Sequence, residues 1–139
     1  MEASPPHSEV ARVADFRAAL RAFLRKSERN ARQSGLTPQR YLLLLMIKGA
    51  PDGSELSTVT ELARRLQLAQ STVTELVSRA EEAGLVAREQ SGMDGRVAHL
   101  RLTGEGERRL RACLTTLDVE RRQLRDAIES LTSERRVRT

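Results

Sequence analysis

The sequence predicts a mainly α-helical protein with a small β-hairpin wing, in which a winged helix-turn-helix core is flanked by N- and C-terminal dimerisation helices. Two short amphipathic segments separated by a three-residue turn are typical of a helix-turn-helix. Two short strand-like segments follow them directly, as a wing would. Both ends of the chain carry apolar residues at three- and four-residue steps, which predicts helices with one apolar face.

Length and composition exclude several classes of protein. The 139 residues suit one domain, or one domain with added helices. The net charge of +5 is compatible with nucleic acid as a partner, but both signs are mixed along the chain. Aromatic residues are too scarce for the stacking platforms that bind single strands. The longest apolar run, 41–47, is far shorter than the roughly 20 residues of a membrane span. With no secretory signal visible, we expect a cytoplasmic protein.

The N-terminal part is predicted to hold two helices. Residues 1–8 are expected to be disordered, and residues 9–34 to form a helix that Gly35 ends. The apolar stripe of this helix comprises Val10, Val13, Phe16, Leu20, Phe23 and Leu24. Thr37 is the predicted N-cap of the next helix, with Pro38 at its first position. The apolar segment QRYLLLLMI that follows predicts a helix buried on most sides.

The helix-turn-helix is predicted from capping and turn residues. Thr58 and Glu61 form a capping box that opens its first helix. The turn comprises residues 67–69, and the second helix, the recognition helix, comprises residues 70–83, with Gly84 as its stop. The residues of the second helix that we expect to face the core are Val73, Leu76, Val77 and Ala80.

The wing is predicted from period-two alternation. The segments LVAREQ and RVAHLRL are read as two strands, and the loop SGMDG joins them. The functional tip of the wing comprises residues 91–96, and the whole winged helix-turn-helix comprises residues 37–104. One face of the second strand is apolar and carries Ala98, Leu100 and Leu102.

The C-terminal stretch, residues 105–135, is predicted to be one long helix with a break near residues 118–120, or two helices. Together with residues 9–34 it exposes more apolar surface than the core can cover, and such surface usually marks a partner. The simplest partner is a second copy of the chain, related by a two-fold axis. The predicted dimerisation residues are Val13, Phe16, Leu20, Phe23, Leu114, Leu117, Leu124, Ile128 and Leu131.

The outward side of the recognition helix is the first candidate DNA-binding site. Its residues are Gln70, Ser71, Thr72, Thr74, Glu75, Ser78 and Arg79. Short polar side chains near a helix N-terminus suit phosphate oxygens, and Gln, Ser and Thr can also read base edges. Glu75 cannot hold a phosphate, so it would either accept from a cytosine N4 group or repel wrong sites. The alternative is an ordinary solvated helix face.

The wing tip is the second candidate site. A guanidinium at the tip of a hairpin, Arg96, suits a narrow minor groove, where negative potential is focused. Asp94 could hold that guanidinium in place by a charge-assisted hydrogen bond. The alternative is a surface ion pair that only shapes the loop. Arg88 and Arg101 would add phosphate contacts or simply belong to a solvated strand face.

These segments resemble the MarR family of bacterial transcriptional regulators over roughly residues 10–135. The sharpest match is the wing signature D-x-R-x-x-x-L-x-L-T-x-x-G, which is met here by Asp94, Arg96, Leu100, Leu102, Thr103 and Gly106. The S-T-V-T at residues 71–74 also matches. The chain departs from the family at Gln67, where glycine is common, at Ala69, where a capping Ser or Asp is common, and at Glu75, where a basic residue is frequent.

The resemblance implies a homodimeric regulator, most simply a repressor, on a pseudo-palindromic duplex DNA operator. The terminal helices would form the dimer, each recognition helix would enter a major groove, and each wing arginine would enter the adjacent minor groove. Many members release DNA when a small aromatic or phenolic compound binds, or when a cysteine is oxidised. A small aromatic or phenolic effector is therefore a further expectation for this chain.

Other functions find little support in the sequence. Cys113, the one cysteine, lies on an apolar stripe and is expected to be a buried, inert thiol rather than a redox sensor. His7 and His99 are too few for a metal site. No nucleophile with a matched base and no phosphate-binding loop is visible, so we expect neither a cofactor nor an enzyme. The alternative function is a winged-helix protein-interaction module without specific DNA binding.

Overall fold

The computed structural model describes residues 3–90, 97–114 and 117–137. Its elements, in chain order, are α1 (His7–Gln33), α2 (Pro38–Lys48), α3 (Val59–Leu66), α4 (Gln70–Glu82), β1 (Val86–Gln90), β2 (Ala98–Leu102), α5 (Gly104–Leu114) and α6 (Asp118–Val137). The fold is mainly helical with a two-stranded antiparallel hairpin, which confirms the predicted class. No helix in the described part of the chain is long and apolar enough to cross a membrane.

The predicted N-caps of α2 and α3 and the predicted turn between α3 and α4 are confirmed. The hydroxyl of Thr37 accepts from the backbone N–H of Arg40, and the hydroxyl of Thr58 accepts from that of Glu61, each at 3.2 Å. Gln67 ends α3 in the left-handed conformation, with φ 58°. That conformation favours glycine, so Gln67 adopts it here without the conformational freedom that a glycine would have.

The wing hairpin is held on two sides. Its register pairs Val86 with Leu102 and Arg88 with Leu100. On the other side of β2, Leu100 exchanges two backbone hydrogen bonds with Ser57, at 3.1 and 2.8 Å. The second contact was not predicted from the sequence. It fixes the base of the wing to the residue that precedes the cap of α3.

One compact unit comprises residues 31–114. Its core is built from α2, α3, α4, the hairpin and α5. The largest fully buried side chains in this unit are Leu43, Leu44, Ile47, Leu62, Val73, Val77, Leu85, Leu100 and Cys113. The predicted inward face of the recognition helix is thus confirmed for Val73, Val77 and Ala80, whereas Leu76 is half-buried. The prediction for α2 holds on most sides, with Leu42 left exposed.

A second compact unit joins α1, through Asn30, with α6. One detail of the prediction is corrected here. Residues 7 and 8 were expected to be disordered, yet α1 already begins at His7, because the carbonyl of Pro6 accepts from the N–H groups of Glu9 and Val10. The C-terminal stretch is two helices, which is one of the two predicted alternatives, and α6 begins at Asp118, next to the predicted break.

Candidate nucleic-acid interface

The outward face of α4 is defined by the residues that α4 buries. Val73, Val77 and Ala80 are spaced by four and three residues and face the core. A second stripe with similar spacing runs along the opposite side of the helix and comprises Ser71, Glu75, Ser78 and Glu82. All of the predicted contact residues of this helix are exposed: Gln70, Ser71, Thr72, Thr74, Glu75, Ser78 and Arg79. Each of these side chains is therefore accessible to solvent, although nine residues of helix place Gln70 and Arg79 on opposite sides of α4.

One side-chain amide and one hydroxyl of this surface already donate hydrogen bonds within the protein. The side-chain amide of Gln70 donates to the hydroxyl of Thr60 on α3, at 3.3 Å. The hydroxyl of Thr74 donates to the backbone carbonyl of Gln70, at 2.9 Å. Because its one proton is used in this way, the Thr74 hydroxyl can only accept from an outside partner.

The N-terminus of α4 lacks the cap that α2 and α3 possess. Ala69 occupies the N-cap position with extended dihedral angles, φ −65° and ψ 148°, and makes no side-chain hydrogen bond. The first N–H groups of a helix have no partner within the helix. Here they therefore depend on water or on a ligand, and they coincide with the positive end of the helix dipole.

The charge on α4 is acidic, which the overall net charge of +5 does not reveal. Between Gln70 and Glu82 there are three glutamates and one arginine. That arginine, Arg79, donates from Nη2 to Oε1 of Glu75 at 2.7 Å, and both side chains are about two-thirds exposed. An exposed pair of this spacing contributes only about 0.3–0.5 kcal/mol to stability.

The neighbouring cations are also paired. Arg88 on β1 donates from Nε to Glu81 at 2.8 Å, and Nε of Arg101 on β2 lies 3.6 Å from a carboxylate oxygen of Glu89. Each of these arginines keeps further N–H donors, but a phosphate would have to share the guanidinium with a carboxylate. The sequence offered phosphate contacts for Arg88 and Arg101, and the structure adds that each contact would compete with an ion pair already present.

The wing tip, including Asp94 and Arg96, lies outside the described residues. The proposed roles of these two residues stay predictions. What the structure does describe is the base that carries the tip. Leu100 and Leu102 are buried, whereas Val97, directly after the tip, is exposed.

Thr103 joins the wing, the end of α4 and the start of α5. Its hydroxyl donates to the carbonyl of Gly84 at 2.6 Å and accepts from the N–H of Gly106 at 3.1 Å. Its backbone N–H donates to the carbonyl of Leu85 at 3.0 Å. A Cβ on Gly106 would overlap that same carbonyl oxygen of Leu85. The threonine of the wing signature is thus explained by its hydrogen bonds, and the glycine by its close contact with Leu85.

A cluster of charged side chains was not predicted from the sequence. Lys48, the last residue of α2, donates from Nζ to Glu107 at 2.7 Å and to Glu55 at 2.9 Å. The hydrogen bonds to Glu107 and then Glu55 raise the pKa of Lys48 above its ordinary value. The hydrogen bond from Lys48 in turn lowers the pKa of Glu107. Glu55 is 7 residues from Lys48, but Glu107 is 59 residues away, so no local pattern could have revealed that second partner.

The predicted dimerisation residues differ in how much surface they expose. Val13 and Ile128 are 49% and 43% exposed. The half-buried members are Phe16, Leu20, Phe23, Leu114, Leu124 and Leu131. Leu117 is only 1% exposed within a single chain, so it has almost no surface to offer a partner. On α1, an open groove of about 330 Å³ is lined by Leu20 and Leu24 with charged side chains around them.

Two further predictions concern reactive groups. Cys113 is fully buried, as expected for a structural thiol. Among the residues that the structure describes, no group of three or more His, Cys, Asp or Glu side chains is placed to hold a metal ion.

A helix-turn-helix followed by an antiparallel hairpin defines a winged helix-turn-helix protein, and comparison with known proteins identifies the family. Residues 34–97 match the sequence model of the MarR family. The chain is 32% identical to YsmB of Bacillus subtilis, an uncharacterized HTH-type transcriptional regulator, over 88% of this chain and 82% of that protein. The chain belongs to the MarR family of helix-turn-helix transcriptional regulators, which are not enzymes.

Two other proteins are similar. The HTH-type transcriptional repressor MdtR of Bacillus subtilis is 32% identical over 68% of this chain and 61% of that protein. The crystal structure of a mutant MarR from E. coli, complexed with operator DNA, has a TM-score of 0.61 at 19% identity, over 85% of this chain and 77% of that one. The similarity to the mutant MarR shows a shared fold.

Proposed function

We propose that this chain is a homodimeric transcriptional repressor that binds a pseudo-palindromic duplex DNA operator. The observation that carries the proposal is the outward face of α4, where exposed polar residues are fixed by a fully buried opposite stripe and a hydrogen-bonded junction with the wing. A rigid helix of this kind suits the major groove, with the wing beside it. The relatives support the proposal, since MdtR is named a repressor and the mutant MarR was crystallised with operator DNA.

The contacts we assign to DNA are divided between α4 and the wing tip. On α4, Ser71 and Thr72 lie at the uncapped N-terminus, where phosphate oxygens would meet free N–H groups. Glu75 and Ser78 lie further along the exposed stripe, where base edges would be in reach, and Arg79 is paired with Glu75 beside that stripe. Asp94 and Arg96 complete the interface from the wing, as the family signature implies.

We assign dimerisation to the helices within residues 9–34 and 105–135, and DNA binding to residues 37–104. The exposed apolar side chains of α1 and α6 support the first assignment, because a soluble protein usually covers such surface with a partner. A two-fold axis would place two α4 helices about one helical turn of DNA apart. The protein would act in the cytoplasm, on the chromosome.

The first experiment selects bound sequences from random duplex DNA with the purified protein. We expect enrichment of a pseudo-palindrome with half-sites about one helical turn apart, and binding that weakens steeply with salt. Arg96→Ala should weaken binding while changing the stability by less than about 0.5 kcal/mol. Unfolding of this variant would instead assign Arg96 to the structure of the loop.

The second experiment tests the dimer with a matched pair of variants on α6. Ile128→Glu and Gln123→Glu each add one negative charge at an exposed position. Only Ile128→Glu removes apolar surface from the proposed interface, so we expect it to shift the dimer to monomer in light scattering. Dissociation by both variants equally would contradict the assigned interface.

One observation favours a second candidate function, a winged-helix module that binds protein. The surface of α4 carries three acidic groups and one basic group, which attracts DNA poorly. Weak and equal affinity for every duplex in the selection would support this alternative.

Aromatic or phenolic compounds such as benzoate or phenol are the effectors to test, by their release of a selected duplex.

A further inference from the structure

We propose that Glu75 and Arg79 act as one unit that reads a C·G base pair in each half-site of the operator. The inference rests on the proposed function, since it requires α4 to enter a major groove. Glu75 lies in the middle of the outward stripe, between Ser71 and Ser78, directly opposite the buried side of the helix. Whatever α4 approaches with this face must therefore meet the Glu75 carboxylate.

A carboxylate in the major groove can bind only a hydrogen-bond donor. Thymine offers an acceptor and a methyl group there, and guanine offers two acceptors. Adenine places an acceptor, N7, beside its donor, so a carboxylate would also meet repulsion. Cytosine offers the N4 donor without an acceptor beside it. Of the four bases, cytosine fits Glu75 best.

The hydrogen-bonding chemistry of Arg79 favours the same base pair. It contacts Glu75 through Nη2 at 2.7 Å. A guanidinium has five N–H donors, so this contact leaves donors for a second partner. The commonest specific partner of arginine in the major groove is guanine, through O6 and N7. Guanine is the Watson–Crick partner of cytosine, so both members of the pair favour one C·G base pair.

The pairing also resolves the electrostatic conflict of an acidic residue at a DNA surface. The carboxylate alone would be repelled by the phosphates, whereas the Glu75–Arg79 unit carries no net charge. A neutral unit adds little to non-specific attraction, which comes from excess cations. Its contribution is therefore to specificity, with Arg79 as both a reader and the residue that positions Glu75.

The test repeats the selection from random duplexes with three variants of the full chain. Glu75→Gln should move the preference at one position of each half-site from cytosine to adenine, because Gln pairs with adenine N6 and N7. Arg79→Lys keeps the charge but loses the planar fork, and should relax the preference at the same base pair. The discrimination lost should be roughly 5- to 150-fold.

The control is Glu82→Gln, which removes the same charge from the same exposed stripe at the last residue of α4. It should raise affinity slightly for all duplexes without changing any base preference. If Glu75→Gln behaves like this control, the pair acts only through charge and the inference is overturned. If the unsubstituted protein enriches no sequence, the proposed function fails together with the inference. An enriched operator whose C·G preference ignores both substitutions overturns the inference alone.

Discussion

The two ends of α4 differ in whether their backbone groups have hydrogen-bond partners. At the C-terminal end, Gly84 adopts φ +75°, and its carbonyl accepts from the Thr103 hydroxyl at 2.6 Å. The N–H of Leu85 donates back to Ala80 at 2.9 Å. At the N-terminal end, Ala69 provides no side-chain acceptor.

The two ends of α4 therefore have different roles. One end holds the helix in place, and the other end is open to a ligand. The C-terminal end is joined to the wing and to α5, so its position is set by several elements at once. The N-terminal end has donors without a side-chain partner, which are the groups that bind anions. The end that holds α4 in place is thus distinct from the end that is available to a ligand. Substitutions at the two ends should separate stability from DNA affinity.

The largest effect is expected from Gly106→Ala, at the anchored end. The new Cβ would meet the backbone carbonyl of Leu85, which cannot rotate away, so the start of α5 must shift. We expect the free energy of unfolding to fall by about 1–3 kcal/mol in chemical denaturation.

The matched control for this substitution is Gly104→Ala, two residues earlier in the same helix. There a Cβ would meet only the flexible end of Arg108 within van der Waals distance. Alanine is also the better helix former, so stability should be unchanged or slightly higher. Equal losses for both variants would mean that the contact with Leu85 is not the cause.

An intermediate effect is expected from Thr103→Val, which keeps the shape but removes the hydroxyl. The carbonyl of Gly84 and the N–H of Gly106 would both lose their partner. We expect a loss of about 1–2 kcal/mol, measured by denaturant unfolding. Thr103→Ser retains the hydroxyl and should restore most of it. A serine variant as unstable as the valine variant would argue for packing of the methyl group instead.

The smallest effect is expected at the open end. Ala69→Ser places an acceptor at a position whose dihedral angles already suit an N-cap. The free protein should gain about 0.5–1 kcal/mol, close to what Thr58→Ala should lose at the capped end of α3. DNA affinity should fall, because the serine occupies an N–H group that a phosphate would use. A thermal-stability gain kept in full in the DNA complex would show that no phosphate binds there.

The structure also shows which features local sequence could predict. The caps at Thr37 and Thr58, the turn and the inward stripe of α4 depend on residues within one or two helical turns, and all were predicted. The bonds between Ser57 and Leu100 join segments more than forty residues apart, and the Lys48 cluster joins α2 to α5. Such contacts depend on how whole elements pack together, which patterns within a short stretch of sequence do not reveal.

The candidate site divides in the same way. The polarity and exposure of α4 followed from its periodicity, but the pairing of Glu75 with Arg79 needed side-chain geometry. The family signature marked Gly106 without a reason, and the proximity of Leu85 supplies it. The sequence marks Ala69 as a departure from the family pattern, and in the structure no other side chain replaces the missing cap.

Because Cys113 is buried, its reaction with a thiol reagent would report local opening of the structure around it. It is the chain's one cysteine, and its side chain is 0% exposed within the unit that carries α4 and the wing. A thiol reagent can reach such a group only when the surrounding structure opens. The ratio of its labelling rate to that of an unfolded thiol would therefore give the free energy of opening at a single site. Measured with and without a selected duplex, that ratio would show whether DNA slows the motion of a core residue on α5.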